Sequence, residues 1–451
     1  MAGKIKISDS FTFGKLLRFA FPSIIMVIFT SLYGIVDGLF VSNFAGDEAF
    51  AAINLFLPIF YILGSSGFLL GSGGNALVAV LLGKGDEDGA RRRFTGVMIL
   101  TVGIGVALTC AVLPFMNKIA VALGAQGDAL EYCTVYGTVM LAGLVPFILQ
   151  SFFQYFFAVA DKPKLGLAIT VAAGVTNMAG DFLLISVAGM GVVGAAVATI
   201  IGECVGGVIP LAYFFVKKGK RLYFGKPAFG LRAIGAICVN GSSEMISNLS
   251  VSAVSVIYNF QLLKYIGNAG VVAYGVIMYV SFIFVGCFLG FSVGTAPIIG
   301  YNYGAKNTAE LKKVFKMSLL FYVVAATVMT ALSEALAKPL AMIFVGYDER
   351  LLALTTRALR LFSISFLLSG FNIYASAFFT ALNNGVVSAV ISVSRTLVFQ
   401  IGAVFLAPLV FDLDGIWCAT VFAELATLAV SVAFVLKHAK RYGYLYTPRL
   451  Q

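Results

Sequence analysis

The sequence predicts an all-α polytopic membrane protein: twelve transmembrane helices in two parallel-repeat six-helix bundles. Three observations carry this prediction: the composition, the spacing of the apolar runs, and a register between the two halves. Of 451 residues, 60% are hydrophobic and 11% charged, whereas soluble domains carry about 25% charged and 45–50% apolar residues. Too little polar surface remains to face water. The net charge of +11 does not point to nucleic acid, because a basic nucleic-acid binder clusters its charge on a soluble fold. Here the excess sits on loops between apolar runs.

A helix that crosses the bilayer needs about 20 apolar residues, and twelve such runs are bounded by charged or Gly/Pro/Asn-rich breaks. The first, 19–42, follows Lys15 and Arg18, and the second, 50–82, ends at the Gly83-Lys-Gly-Asp loop. The third, 94–116, starts after Arg91, Arg92 and Arg93, while 131–158 and 165–188 are separated by Lys162 and Lys164. The sixth, 191–216, runs into a basic stretch at 217–230. Beyond it lie 231–262, 271–301, 314–336, 354–381, 386–410 and 414–437, with Lys306, Lys312, Lys313 and Lys316 between the eighth and ninth. The expected organisation is a first bundle at 1–216, a basic linker at 217–230, a second bundle at 231–437 and a tail at 438–451.

Lys and Arg favour the cytoplasmic side. Counted over alternate loops, 24 of them fall on the side that carries both termini, six fall on the other, and Arg395 alone lies inside a span. Both termini are therefore expected in the cytoplasm, with the chain multi-pass in the cell membrane. The six cysteines sit in apolar stretches without CxxC spacing, so neither a disulfide framework nor a zinc site is expected. The acidic run Asp86-Glu87-Asp88 abuts Arg91 to Arg93 and reads as a salt-bridged helix start. No Walker loop is present, which leaves ATP-driven pumping without support, and no enzymatic nucleophile motif is found.

A shift of 221 residues aligns the halves: Gly73 falls on Gly294, Gly83 on Gly304, Phe94 on Phe315, Thr199 on Thr420 and Glu203 on Glu424. Each half has an even number of spans, so both enter from the same side, and the repeats are related by an axis along the membrane normal. Two such bundles around a central cleft have the architecture of an alternating-access transporter.

Intramembrane charge is costly and marks function by default. Asp37, Asp181, Glu203, Glu244, Glu334 and Glu424 lie within or near spans. At 1.5 Å per residue, Asp37 lies about 27 Å above Phe19 and Asp181 about 24 Å above Leu165, so the two share one depth. Asn177 is one turn below Asp181 on the same face, Thr199 is level with Asn177, and Tyr136 reaches this layer. Such an oxygen-lined cavity suits a hard monovalent cation or protons, since two close carboxylates in low dielectric do not both stay ionised without one. Asp37 aligns with Tyr258 and Asp181 with Gly402, which confines this site to the first bundle. Glu203 and Glu424, as repeat mates, are expected in structural packing or lining the cleft. Arg395 is expected to pair with Glu424, and Glu244, among Ser242, Ser243, Ser247 and Asn248, is expected to face the cleft. Pro22 is a candidate bend that would move Asp37.

Pro22 followed by Asp37, the Gly83-Lys-Gly-Asp loop, Asn177-Met-Ala-Gly-Asp181 and Pro297-Ile-Ile-Gly-Tyr-Asn-Tyr-Gly-Ala-Lys306 together form a recognisable pattern. Over essentially its whole length the sequence resembles the multidrug and toxic compound extrusion (MATE) family. The resemblance implies a V-shaped pair of bundles that exports bulky, amphipathic, often cationic compounds in exchange for Na+ or H+, with no other cofactor. In the branch it is most similar to, Asp37, Asn177, Asp181 and Thr199 match the cation or proton site, with Tyr136 nearby. Another branch uses acids in the seventh and tenth helices. This chain keeps Glu244 but has no acid between Arg360 and Ala381. The expected partners are amphipathic small molecules and the lipid bilayer, with no nucleic acid, and the expected state is a monomer. The alternatives are a flippase for lipid-linked oligosaccharides, of the same wider superfamily, and an exporter of one specific metabolite.

Overall fold

The computed structural model describes residues 5–44, 47–217 and 220–445. In the first half, α1 (Phe13–Phe44), α2 (Asp47–Gly83) and α3 (Glu87–Val112) are followed by the short α4 (Met116–Ala122). Then come α5 (Asp128–Ala142), α6 (Leu144–Val159), α7 (Pro163–Asp181) and α8 (Gly191–Phe215). The second half comprises α9 (Leu231–Ile266), α10 (Asn268–Gly304), α11 (Thr308–Val345), α12 (Glu349–Ser363) and α13 (Phe366–Ala381). It ends with α14 (Gly385–Val393), α15 (Gln400–Leu406) and α16 (Pro408–Tyr442). Among the described residues ten helices are long and apolar enough to cross a membrane, and the bent pairs α5/α6 and α12/α13, each taken as one span, bring the number to the expected twelve.

Both bends fall where the sequence shows continuous apolar runs. The α5/α6 pair turns by 53° and α12/α13 by 46°, at Gly143 and near Ile364, which are equivalent under the repeat. At the first, Pro146 has no N–H for the Ala142 carbonyl and its ring crowds that turn. A Cβ at Gly143 would lie 2.4 Å from Ile200, so the elbow is pressed against α8. The last span starts where expected: the chain is non-helical at Phe411 and at Asp412, which has φ 47°, so the short turn from Pro408 is set off from the helix that follows. By contrast, α1 runs unbroken through Pro22, so the expected bend is not present in this conformation.

Helix starts follow local chemistry. Asp86 caps α3 by accepting from Gly89 N–H at 2.8 Å, and Asn307 caps α11 by accepting from Glu310 N–H at 3.1 Å, a role short polar side chains fill because the first N–H groups lack helical partners. Glu87 pairs with Arg91 at 2.7 Å and with Arg221 at 3.4 Å. The linker is docked on α3: Gly225 N–H donates to Thr95 Oγ1 at 2.9 Å and Ala228 N–H to the Arg92 carbonyl at 3.0 Å.

Large apolar side chains such as Val256, Phe260 and Val323 point outward, as lipid contact requires. Lipid tails are as apolar as the helices, so helix association depends on close packing of small residues. The halves meet in that way. A Cβ at Gly83 would lie 2.0 Å from the Tyr301 carbonyl, and one at Gly304 would lie 2.1 Å from that of Val80. At Gly241 it would lie 1.8 Å from the Leu69 carbonyl. These positions, with Gly290 against Ile24 and Gly294 against Ala20, lie in the helix halves nearest the basic loops, so the basic end is where the halves are sealed.

Candidate functional site

Two helices of the first half, α1 and α7, carry acids toward the end remote from the basic loops, and α8 carries Thr199 beside them. The carboxyl group of Asp37 meets the side chains of Asp181, Asn177 and Thr199. Asn177 Nδ2 donates to Thr199 Oγ1 at 3.4 Å, and that hydroxyl donates to the Ala195 carbonyl at 3.0 Å. Asp181 is fully buried, Asn177 nearly so, and α7 passes into a π-helical turn, Phe182–Val187, directly after Asp181. Such turns are frequent at functional sites. Tyr136, buried on α5 edge-on to Phe56, lies within electrostatic reach of Asp37 and Asp181. The structure therefore brings Asp37, Asn177, Asp181 and Thr199 together, with Tyr136 within electrostatic reach.

The site is rich in acceptors and poor in donors. Asp37 Oδ1, Asn177 Oδ1 and both Asp181 oxygens are buried without a donor, although Asp37 and Asp181 touch. Two carboxylates hydrogen-bond each other only if one holds a proton. None of the six apolar runs read from the first half of the sequence contains Lys or Arg. A set of carboxylate and amide oxygens suits a hard cation, and it equally suits protons.

At the equivalent place in the second half, Tyr258 and Thr420, the repeat mates of Asp37 and Thr199, hydrogen-bond at 2.8 Å. Gln400, on the helix equivalent to α7, donates to Tyr258 Oη at 2.9 Å and to Thr420 Oγ1 at 2.8 Å. Three neutral groups satisfy one another there, without an acid.

Of the residues expected in the cleft, Glu244 of α9 hydrogen-bonds Tyr155 of α6, across the halves. Arg395 and Glu424 form an ion pair inside the second half, with Nη2 and Nε at 2.7 and 2.8 Å from Glu424 Oε1. Asn372 Nδ2 donates to Glu424 Oε2 at 2.7 Å and to its carbonyl at 2.9 Å. Both Glu424 oxygens are thus engaged, and Arg395 is not a free cleft base. Glu203 is buried within the first half, with Asp37 as its charged neighbour. It joins the first-half acids rather than Glu244.

Two acids that the sequence does not single out hold the chain ahead of α1 at the basic end. Asp161 accepts from Ile7 N–H at 2.7 Å, and Glu310 accepts from Phe11 N–H at 2.7 Å and from Ser10 Oγ at 3.1 Å. Ile7 and Phe11 are fully buried, so this segment ties the first half to the second. No local pattern marks these partners, which lie 154 and 299 residues away.

The MatE family model matches the chain twice, at residues 22–183 and 245–406, once in each half. The chain belongs to the MatE family. This MatE protein is 25% identical over 438 residues to "Multidrug export protein MepA" of Staphylococcus haemolyticus, covering 95% of each chain. Among solved structures it is similar to "Crystal structure of MATE in complex with MaL6", with a TM-score of 0.92, 24% identity and coverage of 98% and 99%. It is also similar to "Outward-facing conformation of a multidrug resistance MATE family transporter of the MOP superfamily", with a TM-score of 0.91, 23% identity and the same coverage. At such identities the structural likeness fixes the MATE fold.

Proposed function

We propose that this protein is a secondary active antiporter that exports amphipathic, often cationic compounds, driven by Na+ or H+ bound at Asp37, Asp181, Asn177 and Thr199, with Tyr136 at the edge of the site. The observation that carries the reading is the cluster of buried, unpartnered acceptor oxygens in the first half, set against a neutral, fully bonded triad at the equivalent place in the second. Relatives named as multidrug export proteins over nearly the whole chain support export as the direction. The basic end is taken as cytoplasmic. The conformation sealed there is then the outward-facing one, and it is the state that loads the ion from outside. A coupling ion drives export only if it binds the two conformations unequally. Asp37 and Asp181 sit on separate helices, so movement of α1 against α7 changes their separation and with it the affinity for a cation. Glu244, at the seam between the halves, supplies an acid to a cationic substrate.

A flippase for lipid-linked oligosaccharides needs a free base to hold diphosphate. The intramembrane base Arg395 is instead bound to Glu424, which favours the antiporter. The test is ethidium efflux from proteoliposomes under a Na+ gradient and, separately, a pH gradient, for wild type and Asp181→Asn. Efflux driven by one gradient and reduced at least tenfold in the variant is the expected result. No gradient-driven movement of ethidium or of other organic cations by wild type would remove the reading.

A further inference from the structure

The acid cluster does not end at Asp37 and Asp181. On α8, Glu203 lies four residues beyond Thr199, on the same face and about 6 Å closer to the basic end. On α1, Tyr33 lies four residues before Asp37, again one turn toward the basic end. The side chains therefore form two storeys on the same helices. Asp37, Asp181, Asn177 and Thr199 form the first, and Glu203 and Tyr33 belong to the second, where Gln150 of α6 joins them by donating from Nε2 to Tyr33 Oη at 3.4 Å.

Glycines make room for this second storey. A Cβ at Gly174 of α7 would lie 2.5 Å from the Phe29 ring and 3.0 Å from the Tyr33 ring, so both rings are laid against α7 about one turn below Asn177. A Cβ at Gly206 of α8 would lie 2.7 Å from Gln150 Oε1, so the amide is laid against α8 one turn below Glu203. Glu203 is 6% exposed and Gln150 5% exposed. Glu203 Oε2 and Gln150 Oε1 have no hydrogen-bond partner. A carboxyl group with a buried, unpartnered oxygen at mid-membrane is costly to keep, and a purely structural position there would be served by a neutral amide.

We propose that Glu203, with Tyr33 and Gln150, is a second, inward layer of the coupling site: it takes the monovalent cation, H+ or Na+, as it leaves Asp37 and Asp181 toward the basic side. The inference rests on the proposed ion-coupled export. If the ion is H+, the O–H bond at the Asp37–Asp181 pair breaks and one forms at Glu203 Oε2; the outer pair regains its negative charge and Glu203 becomes neutral. If it is Na+, Glu203 Oε2, Gln150 Oε1 and the Tyr33 phenol supply three of its oxygens, and no covalent bond changes. In either case Glu203 holds the ion while the outer pair is free to reload.

The test compares Glu203→Gln, Glu203→Asp and Asp181→Asn in proteoliposomes with ethidium. Wild-type efflux under one gradient is the control for the antiporter reading, so its absence refutes that reading and not this extension alone. Glu203→Gln is expected to lower gradient-driven efflux at least tenfold while leaving the Kd for ethidium in detergent within twofold and its sensitivity to the coupling ion intact. Asp181→Asn is expected to abolish that sensitivity, and Glu203→Asp to restore part of the efflux. Glu203→Gln that transports within twofold of wild type, or fails no more than Glu203→Asp, overturns the second layer and leaves the outer site standing. A measurement on the wild-type chain removes any dependence on variant folding: dicyclohexylcarbodiimide labelling of Glu203, mapped by mass spectrometry. Labelling that declines with saturating Na+, or with rising pH, supports an ion-carrying carboxyl group. Labelling indifferent to both overturns it.

Discussion

Replacing Arg395 by Met, Glu424 by Leu, and both together separates a structural ion pair from a substrate contact. Arg395 places two nitrogens at 2.7 and 2.8 Å from one Glu424 oxygen, and the side chains are only 19% and 3% exposed. At an effective dielectric constant of about 20 the attraction at this separation is roughly 6 kcal/mol, most of it offset by the loss of hydration on burial. Removing one partner leaves the other charge buried, at a cost of about 3–5 kcal/mol. Removing both is neutral to stabilising within about 2 kcal/mol, because apolar side chains of similar volume need no desolvation. The assay is reversible unfolding of the four proteins in mixed micelles, with the coupling energy taken from the double-mutant cycle. Singles that each cost under about 1 kcal/mol, or a double that is the sum of its singles, would refute the reasoning. The same set in the ethidium assay is expected to give a double variant within threefold of wild type, as a substrate-contacting pair would not.

Two further outcomes follow from the seal and from the segment ahead of α1. Gly83→Val or Gly304→Val forces α2 and α10 apart against backbone carbonyls 2.0 and 2.1 Å from the added carbon, an overpacking worth about 1–3 kcal/mol. A cysteine at the fully buried Ala79, in a background without the six native ones, is expected to react with an impermeant maleimide from the basic side about tenfold faster or more; an unchanged rate would show that the glycines do not hold the seal. Burial pushes the Asp161 carboxyl above its ordinary value of 3.8, against the Ile7 N–H bond that lowers it. The folded chain therefore binds more protons there than the unfolded chain between 3.8 and the raised value, and stability falls as pH rises through that window. Asp161→Asn keeps an acceptor for Ile7 and removes the charge, so its stability relative to wild type is expected to grow as pH rises from about 4 to neutral; a difference independent of pH would contradict this account.

The sequence by itself determined the class, the spans and the outer layer of the candidate site. Long apolar runs with almost no charge cross a bilayer because nothing else satisfies their backbone there. Depth is legible because a helix rises by a fixed 1.5 Å per residue, so Asp37 and Asp181 fall at one level by counting. That the equivalent place in the second half lacks this acid pair was legible too, from Tyr258 standing opposite Asp37 and Gly402 opposite Asp181. Tertiary structure decided which way each helix is turned. Glu203 was read from the sequence only as the repeat mate of Glu424; its grouping with Asp37 rather than with the cleft depends on the rotation of α8, which the packing of Gly202 and Gly206 against α7 and Gln150 sets. The elbows at Gly143 and Ile364 were hidden because their flanks are apolar on both sides. The tie from Ile7 and Phe11 to Asp161 and Glu310 joins residues hundreds of positions apart. Hydropathy and rise are properties of each segment alone, whereas helix rotation and distant contacts are fixed by the fit of one segment to another, and a sequence pattern does not carry that fit.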